Sequence, residues 1–535
     1  MSIRPQLCVG LLFIATLGGV RAEENPAGAG ASSGLSLEPS RTLIEENPAG
    51  VGASSGSSLE PIRTLIMLDY QTVKVRGDAP IDLMGAHFFR QVNDWLLLGF
   101  GVQAPLVSGN YGGFATFDVG GYAKKDLGSR VFATAGLFGG AGAGGRSVEN
   151  AKSLSGSGTL TRAFVGLGYD FGSFSAGVNL SKFKIRNAAV GGTQAAVFLE
   201  TPYSVLTGPF GLQGQPLTPA DAARARVESG PSMLTLGADN FRQIRPEGSK
   251  KGDFALADLQ FSHFFSGDTY WYAGLGIGYR GLPTYNQFIG GVGQRLRLSQ
   301  RISLYGQVGI GSSGYAPEVI DTGPGLVVNP KLAAEYALTR NVGLSLTAGY
   351  MAAAKGSSRN LSYGLAMTRH IGVQDSADAP WPTGDAPTFR GVRLGMFQQT
   401  EFNVRYAGVD RGTLQMLGIQ ADLLLDDHWY VPMQAVAAYG SYLGYPGYDE
   451  VLGGLGLQSR AGPEDRLQFF GQLMAGANLH GRAAKASLGT RVFLNDRLSL
   501  SVVAGKVAAR SASGKRFNAN SLALGLETRF SFPGW

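Results

Sequence analysis

The five histidines are the side chains best suited to proton or metal chemistry in this sequence, and their spacing argues against both. His87 and His263 occupy equivalent places in two copies of one motif, Gly85-Ala-His-Phe-Phe-Arg-Gln-Val-Asn-Asp-Trp95 and Phe261-Ser-His-Phe-Phe-Ser-Gly-Asp-Thr-Tyr-Trp271. A third copy, Gln420-Ala-Asp-Leu-Leu-Leu-Asp-Asp-His-Trp429, carries Ala421 or Asp422 there. Alternation with the phenylalanines puts both histidines on an apolar outer face, where packing is the expected role. His370, His428 and His480 stand near strand ends, without a serine or carboxylate at the recurring spacing a nucleophile and base need. No metal-ligand cluster and no phosphate loop is found, and the many Gly-x-Gly matches follow from eighty glycines. The chain is therefore expected to be no enzyme and to use no metal or cofactor. Arg76-Gly-Asp78 matches an adhesion tripeptide but reads first as turn chemistry.

A second group of residues carries charge or amide on the polar side of otherwise apolar runs: Lys124, Arg295, Arg297, Gln307, Lys331, Glu335, Gln472, Arg491, Glu527 and Arg529. By alternation they face inward, and Glu335 and Arg491 hold the same place in two repeats. An unpaired charge in a packed interior is costly, so a water-filled lumen common to them is the simpler expectation. Inward Gly291, Gly293, Gly454, Gly456 and Phe493 would instead suit small packed barrels.

The elements that position these residues form three divergent copies of one module. After each motif tryptophan come Asn110-Tyr-Gly-Gly-Phe, Tyr285-Asn-Gln-Phe-Ile-Gly-Gly and Tyr448-Asp-Glu-Val-Leu-Gly-Gly. The copies run over 63–205, 231–371 and 389–535. Their apolar period is two, as in Leu498, Leu500 and Val502 alternating with Ser499 and Ser501. Strands of about ten residues, apolar on one side only, are the signature of a transmembrane barrel. Each module holds about eight, and its connections alternate between short and long, with Asn93-Asp94, Phe171-Gly-Ser173 and Asn495-Asp496 among the short ones. Trp95, Trp271 and Trp429 lie beside short turns, where an interfacial aromatic girdle on the periplasmic side is expected.

Residues 1–22 read as a secretory signal peptide, with Arg4, an apolar run and Val20-Arg-Ala22. Cys8, the only cysteine, lies within it, so no disulfide is expected. Residues 23–62, holding most of a 22-residue tandem repeat rich in Gly, Ala, Ser and Pro, are expected to form a disordered periplasmic arm. Residues 206–230 and 372–388 are expected to be periplasmic linkers. In the first, Thr218-Pro-Ala-Asp marks the start of a short helix. The net charge of +7 falls to about +5 without Arg4 and Arg21. No basic stripe interleaved with aromatics marks a nucleic-acid partner.

The C-terminal strand alternates Leu522, Leu524, Leu526, Thr528, Phe530 and Phe532. Here the chain resembles bacterial outer-membrane β-barrel proteins, whose last strand carries an aromatic-rich assembly signal, although Pro533-Gly534 before Trp535 departs from the usual ending. The resemblance covers 63–535 as architecture. It implies an all-β antiparallel barrel in the outer membrane with both termini periplasmic. Its implied partners are outer-membrane lipid, lipopolysaccharide and the barrel-assembly machinery. One sheet of roughly 24 strands is the expectation, with three tandem eight-stranded barrels as the alternative. One wide barrel would be a channel for a solute or an exported polymer, working with a periplasmic export partner. Three filled barrels would be a non-transport surface scaffold or adhesin.

Overall fold

The computed structural model describes residues 59–143, 158–228, 231–283, 285–315, 319–339, 341–371, 388–442, 448–460 and 466–534. The signal peptide, the arm up to residue 58, the 372–387 linker and the long connection at 144–157 lie outside the described residues.

Three separate sheets close, each on eight strands. The first closes where Glu60–Val73 pairs with Gly191–Thr207, the second where Ser232–Gln243 pairs with Arg359–Ile371, and the third where Thr388–Tyr406 pairs with Arg516–Gly534. All pairings are antiparallel, and a two-residue strand, Val409–Asp410, extends the third sheet beside the end of Thr388–Tyr406. The single sheet of roughly 24 strands expected above is thus replaced by its alternative. The physical reason is that a charge needs a partner or water, and here the inward charges find partners across their own barrel. Closure at eight also satisfies every strand edge locally, without waiting for a pairing between distant parts of the chain.

The first strand begins three residues before the boundary set for the arm. Glu60, Pro61 and Ile62 continue the ladder against Thr207, Leu206 and Val205. The 17-residue closing strand Gly191–Thr207 offers backbone partners beyond the end of the module, which composition alone does not reveal.

Burial along the strands is inverted relative to a water-soluble sheet. In Leu498–Arg510, Ser499 and Ser501 are buried while Leu500 and Val502 are exposed. In Leu467–Asn478, Gln468 and Gln472 are buried while Leu473 is 69 % exposed. Leu332, Leu346 and Leu488 are equally open. An outward apolar belt on closed strands of at least ten residues is a surface built for lipid, because only closed sheets and helices satisfy all backbone groups there. No helix among the described residues is long and apolar enough to cross a membrane.

Short connections are built by side chains that cap their own turns. Asn93 Oδ1 accepts from the Trp95 and Leu96 amides at 3.1 and 2.8 Å, and Asn495 Oδ1 accepts from those of Arg497 and Leu498 at 2.9 Å each. Asp426 does the same for His428 and Trp429 at 2.7 Å, and these amides, Trp429 first, hold its carboxyl below the ordinary range. Long connections gather at the other end. Epitope tags inserted at Gly248 and Ser513 will therefore be labelled on intact cells, whereas tags at Gly172 and Gly267 will be labelled only after the outer membrane is opened. The reverse pattern would invert the orientation.

Candidate functional site: barrel interiors and their mouths

The first barrel is filled by a continuous polar chain. Gln194 donates to Gln71 at 2.9 Å, Gln71 to Gln103 at 3.0 Å and Gln103 to Asp118 at 2.9 Å. His87 Nε2 lies 3.5 Å from Asp118 and 3.2 Å from Arg162, which pairs with Asp69. His87 is completely buried, so its placement on an outer face is corrected. His263 does face outward, bonded to Ser232 at 3.0 Å and tilted against the Trp271 ring, with 5.9 Å between centroids. The two aligned motifs diverge because their turns differ: Gln91 pairs with Leu97 around a turn at 92–95, whereas Ser266 pairs with Thr269 across a bulge. That difference moves the hairpin centre relative to the tryptophan and exchanges the faces.

The second and third barrels share a different lattice at positions equivalent to each other. Gln260 and Gln307 bond across the second interior at 3.2 and 3.0 Å, and Tyr270 Oη donates to Gln307 at 3.1 Å. In the third barrel Gln420 donates to Gln472 at 3.2 Å, and so does Tyr430 Oη at 3.2 Å. Each tyrosine ring fits because the residue paired with it on the next strand is glycine, Gly293 for Tyr270 and Gly456 for Tyr430. A Cβ at Gly293 would stand 2.3 Å from the Tyr270 ring, and one at Gly456 2.1 Å from that of Tyr430. Glycine opposite an aromatic is how a narrow barrel accommodates bulk without distorting its ladder.

The charges pair within their own barrels. Lys124 meets Glu200 at 2.9 Å in the first. In the second, Lys331 meets Asp239, Arg295 meets Asp268 at 2.8 Å with Arg297 at 3.6 Å, and Glu335 lies 2.9 Å from His370. In the third, Arg491 is fully buried between Glu527 at 2.7 Å and Asp422 at 2.9 Å, and Arg393 shares Asp422 at 3.1 Å. Nearer the long-loop end, Lys485 donates to Gln399 at 2.6 Å and Gln434 at 2.8 Å. A cavity of about 30 Å³ in the third barrel, lined by Arg393, Asp422, Gln472 and Glu527 among others, has room for about one water. The ten residues expected to share one aqueous lumen are divided among three interiors, and that common lumen is not formed.

Sequence reasoning missed Asp69, Asp118, Arg162, Asp239, Asp422 and Lys485. Each is a lone charge at inward parity, and pairing such charges across a short strand cycle would have found them. Among the described residues no group of His, Cys, Asp or Glu is arranged to hold a metal.

Both mouths of the third barrel are also covered. On the short-turn side, the connection after the first barrel folds under the third, not the second. Gly208 and Ser531 exchange backbone bonds at 2.8 and 3.0 Å, and Phe389 and the 214–215 backbone do so at 2.8 Å each. Phe210 then packs against Leu424, Tyr430 and Phe470 at the mouth, with Arg529 over its ring at 5.1 Å. Behind it stands the helix Pro219–Glu228, where Thr218 Oγ1 accepts from the Asp221 amide at 3.1 Å as an N-cap. At the opposite mouth of the third barrel His480 stacks on Tyr406 at 3.9 Å, and its Nε2 lies 2.7 Å from Tyr442 Oη. The Arg76-Gly-Asp78 turn uses a left-handed Gly77, and its Asp78 carboxylate is taken by Tyr111.

Trp95 and Trp429 are exposed at the short-turn end of the belt, and Trp271 lies two residues inside its strand, half-buried beside His263.

No protein-family model matches the chain, and no curated protein matches it. Solved structures similar to it include the ferric enterobactin receptor PfeA of Pseudomonas aeruginosa, at 12 % identity over 87 % of this chain and 81 % of that one, with a TM-score of 0.28. The siderophore receptor PirA of the same species is 10 % identical over 88 % and 80 %, with a TM-score of 0.25. The alcaligin receptor FauA of Bordetella pertussis is 11 % identical over 88 % and 76 %, with a TM-score of 0.26. Similarity at this level says nothing about what this chain does. Its own closed barrels, girdled by exposed leucine and lined by buried serine, glutamine and paired charge, are built as transmembrane β-barrels.

Proposed function

We propose that the chain is a non-conducting outer-membrane scaffold, in which three filled barrels anchor one joined external surface. The observation that carries this reading is the pairing of inward charge within each barrel, above all Arg491 with Asp422 and Glu527. A pore needs a continuous wet path, and paired charges in a packed interior remove it. The surface is joined because loops of the first and second barrels bond directly. Gly112 donates to Gly323 at 2.8 Å, and Asn286 donates to Gly113 at 2.8 Å. Such a surface suits contact with another macromolecule outside the cell.

Purified protein in planar phospholipid bilayers is expected to give no stable conductance steps at moderate voltage. Reproducible large steps would overturn the scaffold and return the channel for solute or exported polymer. One observation favours a transport reading of a different kind: a large space lies between the barrels and has mostly apolar walls, so a passenger there would be a lipid and not an ion.

A further inference from the structure

The three barrels surround a cavity of about 2390 Å³ that belongs to none of them. Phe88 and Leu98 of the first, Leu236 and Leu365 of the second, and Leu394 and Leu526 of the third are among its wall residues, and all six are exposed, outward-facing side chains. The walls are tied together around it. Leu326 donates to the Leu106 carbonyl at 2.9 Å and Lys355 to that of Val107 at 2.7 Å, between the first and second barrels. Thr159 donates to the Tyr439 carbonyl at 2.7 Å, and Arg90 bonds Thr528, between the first and third. The strand Thr269–Arg280 meets Leu467–Asn478 and Gly481–Phe493 between the second and third.

A space of this size is not left empty at the centre of a protein. At about 30 Å³ per molecule it would take roughly 80 waters, held against hydrocarbon walls with few groups to bond them. Acyl chains meet the same walls at no such cost. The lining is mostly apolar through the depth of the belt, with Arg482 at one end and, at the other, Arg90 and Arg497, the latter paired with Glu60 at 2.7 Å, beside Asn495, Asp496 and Thr528. Arg90 and Arg497 adjoin the capped short turns at 92–95 and 494–497, the end assigned to the periplasm.

We propose that this space is a lipid site holding phospholipid of the periplasmic leaflet, its acyl chains against the apolar walls and its phosphate toward Arg90 and Arg497. The leaflet follows from the end at which two of the three lining arginines, Arg90 and Arg497, stand together, since lipopolysaccharide belongs to the opposite one. Guanidinium groups suit a phosphate because they donate in a planar fork. The proposal rests on the outer-membrane reading, though not on the barrels being sealed.

Spin labels on single cysteines, in a Cys8→Ser background, provide the test in vesicles of phosphatidylethanolamine and phosphatidylglycerol. A label at Leu236→Cys, on the cavity wall, should collide with oxygen and exclude a water-soluble nickel chelate, as a label at Leu332→Cys on the outer belt does. A label at Ser513→Cys, in an external loop, should show the opposite. Nickel access at Leu236 like that at Ser513 would mean water fills the cavity, and exclusion of both reagents would mean the barrels pack shut. Either result overturns the proposal. If Leu332 admits nickel, the membrane reading itself fails, so the two failures are distinguishable. Native mass spectrometry of protein extracted from cells should then show bound phospholipid, reduced several-fold by Arg90→Gln with Arg497→Gln while heat-modifiable gel mobility is kept. Retention of a lipid A species instead, or phospholipid binding unchanged by the double variant, would overturn the leaflet and headgroup assignment.

Discussion

Arg491→Glu is expected to stop the third barrel from assembling. Arg491 is completely buried, with Glu527 at 2.7 Å and Asp422 at 2.9 Å, so the replacement would set three carboxylates together with no cation but Arg393 nearby. Removing one partner from a buried ion pair costs about 3–5 kcal/mol, and reversing its charge adds repulsion to that loss. The stability of a whole domain is about 5–15 kcal/mol, so the loss is a large share of what is available. Heat-modifiable gel mobility and limited proteolysis provide the measurement. Because the first two barrels close independently of the third, a protease-resistant fragment spanning both should survive in the variant. A fully assembled Arg491→Glu protein with altered ion selectivity would show that the arginine faces open water and that the interiors are not packed.

The second large effect is expected from steric filling, with no charge involved. Gly293→Val places its Cβ where the Tyr270 ring now lies, 2.3 Å away, in a ladder held on both sides. Overpacking of this kind costs about 1–3 kcal/mol, more where the backbone cannot yield. Urea titration of the protein in detergent should show the loss. Tyr270→Leu in the same chain should recover part of it by vacating the space, and this recovery ties the loss to the clash with that ring, since the strand preference of valine over glycine acts in the opposite direction. Gly139→Val is the control, because nothing lies within 4 Å of a Cβ there. Equal losses at Gly139 and Gly293 would sink the explanation.

Much of the architecture was legible in the chain because the signals are local. Alternation of Leu500 and Val502 with Ser499 and Ser501 specifies a strand whose two faces meet different media, and a period of two survives whatever the strand later pairs with. Asn93, Asp426 and Asn495 announce their turns because a short side chain caps the amides two and three residues onward. The inward parity of Arg491, Glu527, Lys331 and Glu335 was readable for the same reason.

What those inward charges meet was not readable. Arg491 reaches Glu527 36 residues away and Asp422 69 residues away, and nothing in the intervening sequence states which strands will curve round to face each other. The preference for one wide sheet came from counting charges as unpartnered, and closure at eight strands supplies the partners. His87 failed for a related reason, since a turn shifted by a few residues exchanges the two faces of a strand and leaves the motif itself unchanged. The fold of the connection around Phe210 beneath the third barrel, and the apolar space between the three, exist only once closed barrels stand side by side. Sequence determined the strands, their faces and their turns through contacts between near neighbours. Tertiary structure alone decided the number of barrels, the pairing of their charges and the space they enclose, because those depend on which distant edges meet.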